Sequence, residues 1–154
     1  MNNIVKEMCE YILSNLYEDI TIEKLEKEFY YNRYYLMRLF KSYTGYTIIE
    51  FINTVKVLKT IDPLLFTNDS ILKIALNNGF NSQEYYSEKF QDVLGIAPLR
   101  FRKNFREVDD IKDINKLKSK KQYLEYLKNF QHQLLNIQHT QETPKKIRKL
   151  VQQK

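Results

Sequence analysis

Few side chains in this sequence are placed to make or break a covalent bond. The one cysteine, Cys9, has no histidine near it and falls in step with Val5, Ile12 and Leu16, so it reads as a core side chain and not as a nucleophile. His132 and His139 share a helical face seven residues apart, but no cysteine or third histidine accompanies them, which is too few ligands for zinc. Asp109, Asp110 and Asp113 fit a solvated helical first turn better than a cation site. With no nucleophile–base pair, phosphate loop or metal cluster, neither an enzyme nor a cofactor nor a metal is expected. The chemistry that remains is that of fixed charge. Lys145, Lys146, Arg148, Lys149 and Lys154 follow Glu142 with no further acid, a tail suited to phosphate contacts or to plain solvation.

Where the charge lies matters more than its sum. The chain of 154 residues carries a formal +6, yet residues 1–104 hold 13 basic and 13 acidic side chains while residues 105–154 hold 12 and 6. The front is electrically neutral and the last third is basic, which divides the chain into a domain over residues 1–104 and an extension over residues 105–154. Only three glycines and three prolines stand among 43% apolar residues, too few breakers for a many-turned β protein and too much apolar content for disorder throughout. The expected class is all-α. A lone cysteine excludes a disulfide framework, the N-terminus lacks a basic leader with a continuous apolar core, and no stretch approaches ~18 uncharged apolar residues. A cytoplasmic protein without membrane contact is expected.

The elements that must position any binding side chains announce themselves by repetition. Ile22 and Leu25 recur as Ile71 and Ile74, and after one inserted residue Asn32, Tyr35, Leu36, Phe40, Gly45 and Phe51 recur as Ser82, Tyr85, Tyr86, Phe90, Gly95 and Phe101. Within the first copy Ile22, Leu25 and Phe29 keep a helical spacing, Tyr30, Tyr31 and Asn32 interrupt it, and Leu36, Leu39, Phe40 and Tyr43 resume it. In the second, Ser70 is placed to cap a helix, Gly79 to end it with a positive φ, and Ser82 to cap the next; Gly45 and Gly95 close the second helix of each copy. A short helix, a tight turn and a second helix make a helix-turn-helix, whose second helix can enter the major groove of DNA. Between the copies, Thr47 and Glu50 form a capping box, and a linker helix over residues 48–61 is expected to run until Pro63 forbids it.

The stretch SILKIALNNGFNSQEYYSEKFQDVLGIAPLRFRK, residues 70–103, resembles the signature of the AraC/XylS family of bacterial transcription regulators. The resemblance rests on Ile74, Ala75, Gly79, Phe80, Ser82, Tyr86, Ser87, Phe90, Gly95, Ile96, Pro98, Phe101 and Arg102, and in the first copy on Leu25, Leu36, Arg38, Phe40, Lys41 and Gly45. It covers residues 4–103. It implies an all-α domain of about seven helices, two helix-turn-helix units reading adjacent major-groove segments of promoter DNA, and RNA polymerase as a partner. By position in the motif, the base-reading side chains fall on Tyr34, Met37 and Arg38 in the first unit and on Gln83, Glu84, Ser87 and Glu88 in the second. Arginine pairs bidentately with guanine, glutamine with adenine, and methionine or tyrosine packs on a thymine methyl. Arg33, Lys41, Lys89 and Arg102 are the phosphate candidates. The chain departs from the pattern at Glu26, where a small residue is usual, at Pro63, and at Glu88 and Gln91, where basic residues are usual. With Glu84 adding a second negative charge, Glu88 is read as a lost contact in preference to a cytosine reader, leaving the first unit to carry more of the binding.

The extension carries an apolar stripe, Val108, Ile111, Ile114, Leu117, Leu124, Leu127, Phe130, Leu134 and Ile137, at helical spacing, ending before Pro144. Residues 105–144 therefore either fold back on the domain or form a homodimer as a short coiled coil, which the gap at Lys120 and Lys121 keeps from being long and regular. A DNA-reading regulator is the leading function. A degenerate helix-turn-helix that binds polymerase or another regulator, with weak affinity for DNA, is the alternative that the neutral front and Glu88 leave open.

Overall fold

The computed structural model describes residues 3–106, and every element in them is helical. The order is α1 (Asn3–Ser14), α2 (Ile22–Phe29), α3 (Arg33–Thr44), α4 (Ile48–Lys59), α5 (Ile61–Phe66), α6 (Ile71–Asn77), α7 (Gln83–Leu94) and α8 (Pro98–Arg106). No helix among the described residues is long and apolar enough to cross a membrane. The stripe and the basic tail of the extension lie outside the described residues.

The two expected units form where their caps and turns dictate. Thr21, Asn32, Ser70 and Ser82 each accept a hydrogen bond from a backbone N–H in the first turn of α2, α3, α6 and α7. Gly45 and Gly95, with φ of 79° and 83°, end α3 and α7 in the left-handed region. The turn inside each unit needs that conformation too. The second unit supplies it with Gly79 at φ 84°, and the first with Tyr30 at φ 58°, a residue for which this region is strained. Tyr30 is 90% exposed, so little packing offsets the cost.

The linker helix departs from expectation. It keeps the capping box, with Glu50 N donating to Thr47 Oγ1 (3.1 Å) and Thr47 N donating to Glu50 Oε2 (2.9 Å), but it ends at Lys59 and not at residue 61. Thr60 forms the junction to α5, which the sequence did not reveal. Pro63 stands in the first turn of α5, where a helix has no use for the missing N–H, so the proline starts a new helix instead of only ending the old one.

One core runs through both units. Cys9 is buried on α1 with Val5, Met8 and Ile12, and burial, aided by Glu10, pushes its thiol up to about 12. Leu36, Phe40, Tyr86 and Phe90 are buried as expected, while Leu39 is only half-buried. Phe40 meets Phe51 edge-on at 5.3 Å, and in the second unit Tyr86, Phe90, Phe101 and Phe105 form a run of ring contacts. Phe105 is buried, so the packed domain continues past residue 104.

Helix α4 is buried at eight of its twelve residues, Asn53 and Thr54 among them. Asn53 and Lys56 on it, and Thr60 just after it, reach the second unit. Asn53 Nδ2 donates to Tyr85 Oη (3.0 Å), Lys56 Nζ donates to the Gly79 carbonyl (2.9 Å), and Tyr86 Oη donates to Thr60 Oγ1 (2.8 Å), which itself donates to the Val57 carbonyl (2.6 Å). Burial lowers the Lys56 pKa from the ordinary lysine value, and the carbonyl and the face of Phe80, 5.7 Å away, offset part of that cost. A Cβ added at Gly79 would sit 3.1 Å from the Leu16 carbonyl and 3.2 Å from Lys56 Cε, so this turn is wedged between α4 and the loop after α1.

The two left-handed turns respond oppositely to substitution. Gly79→Ala should lower the unfolding free energy by about 2 kcal/mol through strain and crowding. Tyr30→Gly should raise it by roughly 0.5 kcal/mol, the relief of strain exceeding the entropy that glycine adds to the unfolded chain. Urea unfolding of both variants checks the pair.

Candidate nucleic-acid interface

Helix α3 buries Leu36 and Phe40, which turns Tyr34, Met37, Arg38 and Lys41 outward at spacings of three and four residues. These four face an open groove whose other walls are Ile20 and Ile22 at the start of α2 and Ile49 and Ile52 at the start of α4. Ile49 is 67% exposed. The outward face thus joins a guanidinium and an ammonium to an apolar floor, a combination able to hydrogen-bond a base edge and to pack on a thymine methyl. Among the described residues nothing pairs with the Arg38 or Lys41 side chains.

Helix α7 buries Tyr86, Phe90, Val93 and Leu94, leaving Gln83, Glu84 and Glu88 exposed and Ser87 half-buried on the opposite side. The two reading helices differ in charge. Helix α3 holds Arg33, Arg38 and Lys41 and no acid, whereas α7 holds Lys89 against Glu84, Glu88 and Asp92. Lys89 Nζ lies 3.6 Å from Asp92 and 3.9 Å from Glu88, and 5.2 Å from the centre of the Tyr85 ring. Its charge is shared with neighbours on its own helix.

Two of the phosphate candidates serve the protein itself. Arg102 Nε donates to the Leu64 carbonyl (2.9 Å), and its terminal nitrogen lies 3.4 Å from the Thr67 carbonyl and 3.5 Å from that of Pro63. The guanidinium therefore meets the carbonyls at the end of α5, where a positive charge also suits the helix dipole. Arg33 is the second. Its terminal nitrogen lies 2.8 Å from Glu26 Oε1 and 3.4 Å from Glu23, its Nε donates to Glu26 Oε1 (3.0 Å), and its backbone N–H donates to Glu26 Oε2 (3.1 Å). The hydrogen bond to Glu26 raises the Arg33 pKa above its ordinary value. Of the four, only Lys41 extends outward without a described partner.

Sequence reasoning noticed Glu26 without seeing its role, because the residue it holds lies seven positions on, beyond a turn. It also missed Asn53, Lys56 and Thr60, although polar residues at helical spacing along an otherwise apolar helix are the mark of a second buried contact. No group of three or more histidine, cysteine or acidic side chains among the described residues could hold a metal ion. The two histidines and the acidic triad lie outside the described residues.

Comparison with known proteins bears on this geometry. A helix-turn-helix domain model matches residues 25–104. The Tn10 transposon TetD protein of Escherichia coli is 29% identical over 101 residues, covering 66% of this chain and 73% of that protein. The transcriptional activator AarP of Providencia stuartii is 27% identical over 101 residues, covering 66% and 75%. The chain belongs to the AraC/XylS family of DNA-binding transcription regulators. Among solved structures similar to it is the DNA-binding domain of AdpA in complex with a target DNA, with a TM-score of 0.63 at 26% identity, covering 70% of this chain and 96% of that one. For an AraC/XylS protein, the side chains open to solvent on α3 and α7 are the ones to weigh as readers.

Arg102→Ala should destabilise the domain by about 1.5 to 3 kcal/mol, since it removes charged hydrogen bonds to carbonyls at a helix end. Thermal or urea unfolding measures the loss; an unchanged midpoint would return Arg102 to the list of phosphate contacts.

Proposed function

We propose that this regulator reads promoter DNA mainly through α3, with Arg38 as the principal base contact, Tyr34 and Met37 packing beside it and Lys41 on a phosphate. The observation that carries the reading is the outward row of Tyr34, Met37, Arg38 and Lys41, in which both cations are left to meet a ligand. Arginine on guanine is the commonest specific base contact, and one bidentate pair discriminates by about 1 to 3 kcal/mol. The AdpA domain, solved on its target DNA, supports the same use of the fold here. Gln83, Glu84, Ser87 and Glu88 occupy the corresponding surface of α7, where Gln83 suits adenine and the carboxylates discourage a close approach to phosphate. The name of AarP supports activation as the outcome, and with it RNA polymerase as a partner.

A second reading has its own observation. Helix α7 presents Glu84, Glu88 and Asp92 with only Lys89 against them, a face suited to a basic protein partner, so the second unit serves as an interaction surface while the first holds DNA. In either reading the basic tail from Lys145 to Lys154 adds phosphate contacts to the few that the neutral front can make.

Fragments selected by the full chain from a random DNA pool at ~150 mM salt test the reading. Retained preference for one sequence supports it, and equal weak binding to every sequence sinks it in favour of the interaction module. On the selected sequence, Arg38→Ala should cost about 1 to 3 kcal/mol and relax one position, and Lys41→Ala should weaken all sequences alike and reduce the salt slope by about one. Removal of the residues after Arg106, which spares the buried Phe105, should lower affinity and salt slope together.

A further inference from the structure

The pairing of Glu26 with Arg33 is unnecessary for the fold itself, as the second copy demonstrates. There Ala75 stands where Glu26 does and Gln83 where Arg33 does, and α7 forms with Ser82 as its cap. The first unit has a carboxylate added to the same frame. That carboxylate takes the first backbone N–H of α3 at 3.1 Å, next to the one that Asn32 Oδ1 takes from Tyr34 at 2.9 Å, and it holds the guanidinium of Arg33 at 2.8 Å.

Both groups that Glu26 occupies are ones a DNA phosphate would otherwise bind. The start of a helix presents unpaired N–H groups and the positive end of its dipole, and an arginine at the first position adds a full charge. Such a site attracts any backbone, whatever the bases, because phosphate contacts position a protein without carrying sequence information. Arg38 and Lys41, farther along the same helix, face outward with no such restraint. The carboxylate also ties α3 to α2 across the turn that contains the strained Tyr30, holding the angle at which Tyr34, Met37 and Arg38 face outward.

We propose that Glu26 is a specificity-determining positioning residue: by locking Arg33 and the first N–H of α3 to α2, it suppresses sequence-independent phosphate binding by the first unit and leaves discrimination to Arg38. The proposal rests on the DNA-reading function above.

The test uses the full chain as wild type and as Glu26→Ala, Glu26→Gln, Arg33→Ala and Glu26→Ala/Arg33→Ala, binding the selected duplex and a random 20-base-pair duplex across a salt series, with elution from immobilised heparin as a polyanion probe that contains no bases. Glu26→Ala should bind the random duplex several-fold more tightly, with a salt slope steeper by about 0.9, the value of one phosphate contact, and should elute from heparin at higher salt. Its preference for the selected duplex should fall. The double variant should lose the gain, because the released guanidinium is its source. Glu26→Gln, which keeps the side-chain shape, should show the same direction with a smaller loss of thermal stability, so a poorly folded alanine variant does not decide the matter. An Arg33→Ala slope shallower by about 0.9 would overturn the proposal, since the guanidinium would then already reach a phosphate. So would unchanged slope and heparin elution in both Glu26 variants. A wild type with no preference among DNA sequences would instead refute the DNA-reading function, and heparin elution would still report whether Glu26 restrains Arg33.

Discussion

The packing of α4 between the two units is the constraint on which the rest of the structure depends. A helix with eight of twelve residues buried cannot be a flexible tether, and two polar side chains on it, Asn53 and Lys56, are committed to groups of the second unit. A buried hydrogen bond contributes only about 1 kcal/mol net, but leaving the Lys56 ammonium or the Thr60 hydroxyl without its partner costs more, so the arrangement resists partial opening. The Gly79 turn adds a backbone approach on its other side, against the loop after α1. Helices α3 and α7 are therefore held in one body. If both are to lie in successive grooves, any curvature is demanded of the DNA, at a cost of about 1 to 6 kcal/mol for smooth bending, and this favours an unequal division of work between the units.

That division is visible in where the cations go. Arg102 stabilises the end of α5, Lys56 is built into the contact between α4 and the second unit, Lys89 shares its charge with acids on α7, and Arg33 is held by α2. A neutral front of the chain is thus more than a matter of totals: most of the positive charge near the interface already has a protein partner. On α3 itself, Arg38 and Lys41 still face outward. On the function proposed above, affinity for DNA as a polyanion would fall largely to the basic extension and recognition of a sequence to a short row of side chains on α3.

Much of the fold was legible because caps and periodicity are local. Thr47, Ser70 and Ser82 act on N–H groups three residues away, and the spacing of Leu36 and Phe40, or Tyr86 and Phe90, betrays a buried face without reference to anything distant. The break falls at Thr60 because Pro63 has no N–H for the Lys59 carbonyl and its ring crowds that carbonyl; what no local pattern reveals is that the Thr60 hydroxyl meets Tyr86, 26 residues on. Pro63 was misleading for a related reason, since a proline that ends one helix is equally suited to the first turn of another. The residues named on α3 and α7 came from their places in the family motif, whereas the surroundings of Arg33 and Arg102 depended on partners brought near only by folding. A count of basic residues cannot tell a free guanidinium from one already engaged.

The burial of Cys9 carries a consequence for the life of the protein under oxidants. With its pKa pushed up to about 12 by burial, the thiol stays protonated at neutral pH, and thiolate is the form that peroxide and alkylating agents attack. Burial thereby protects the sulfur from such reagents as long as α1 stays docked. The same burial makes the sole sulfhydryl an internal gauge, whose rate of capture by a thiol reagent reports how often the N-terminal helix lifts away from the core.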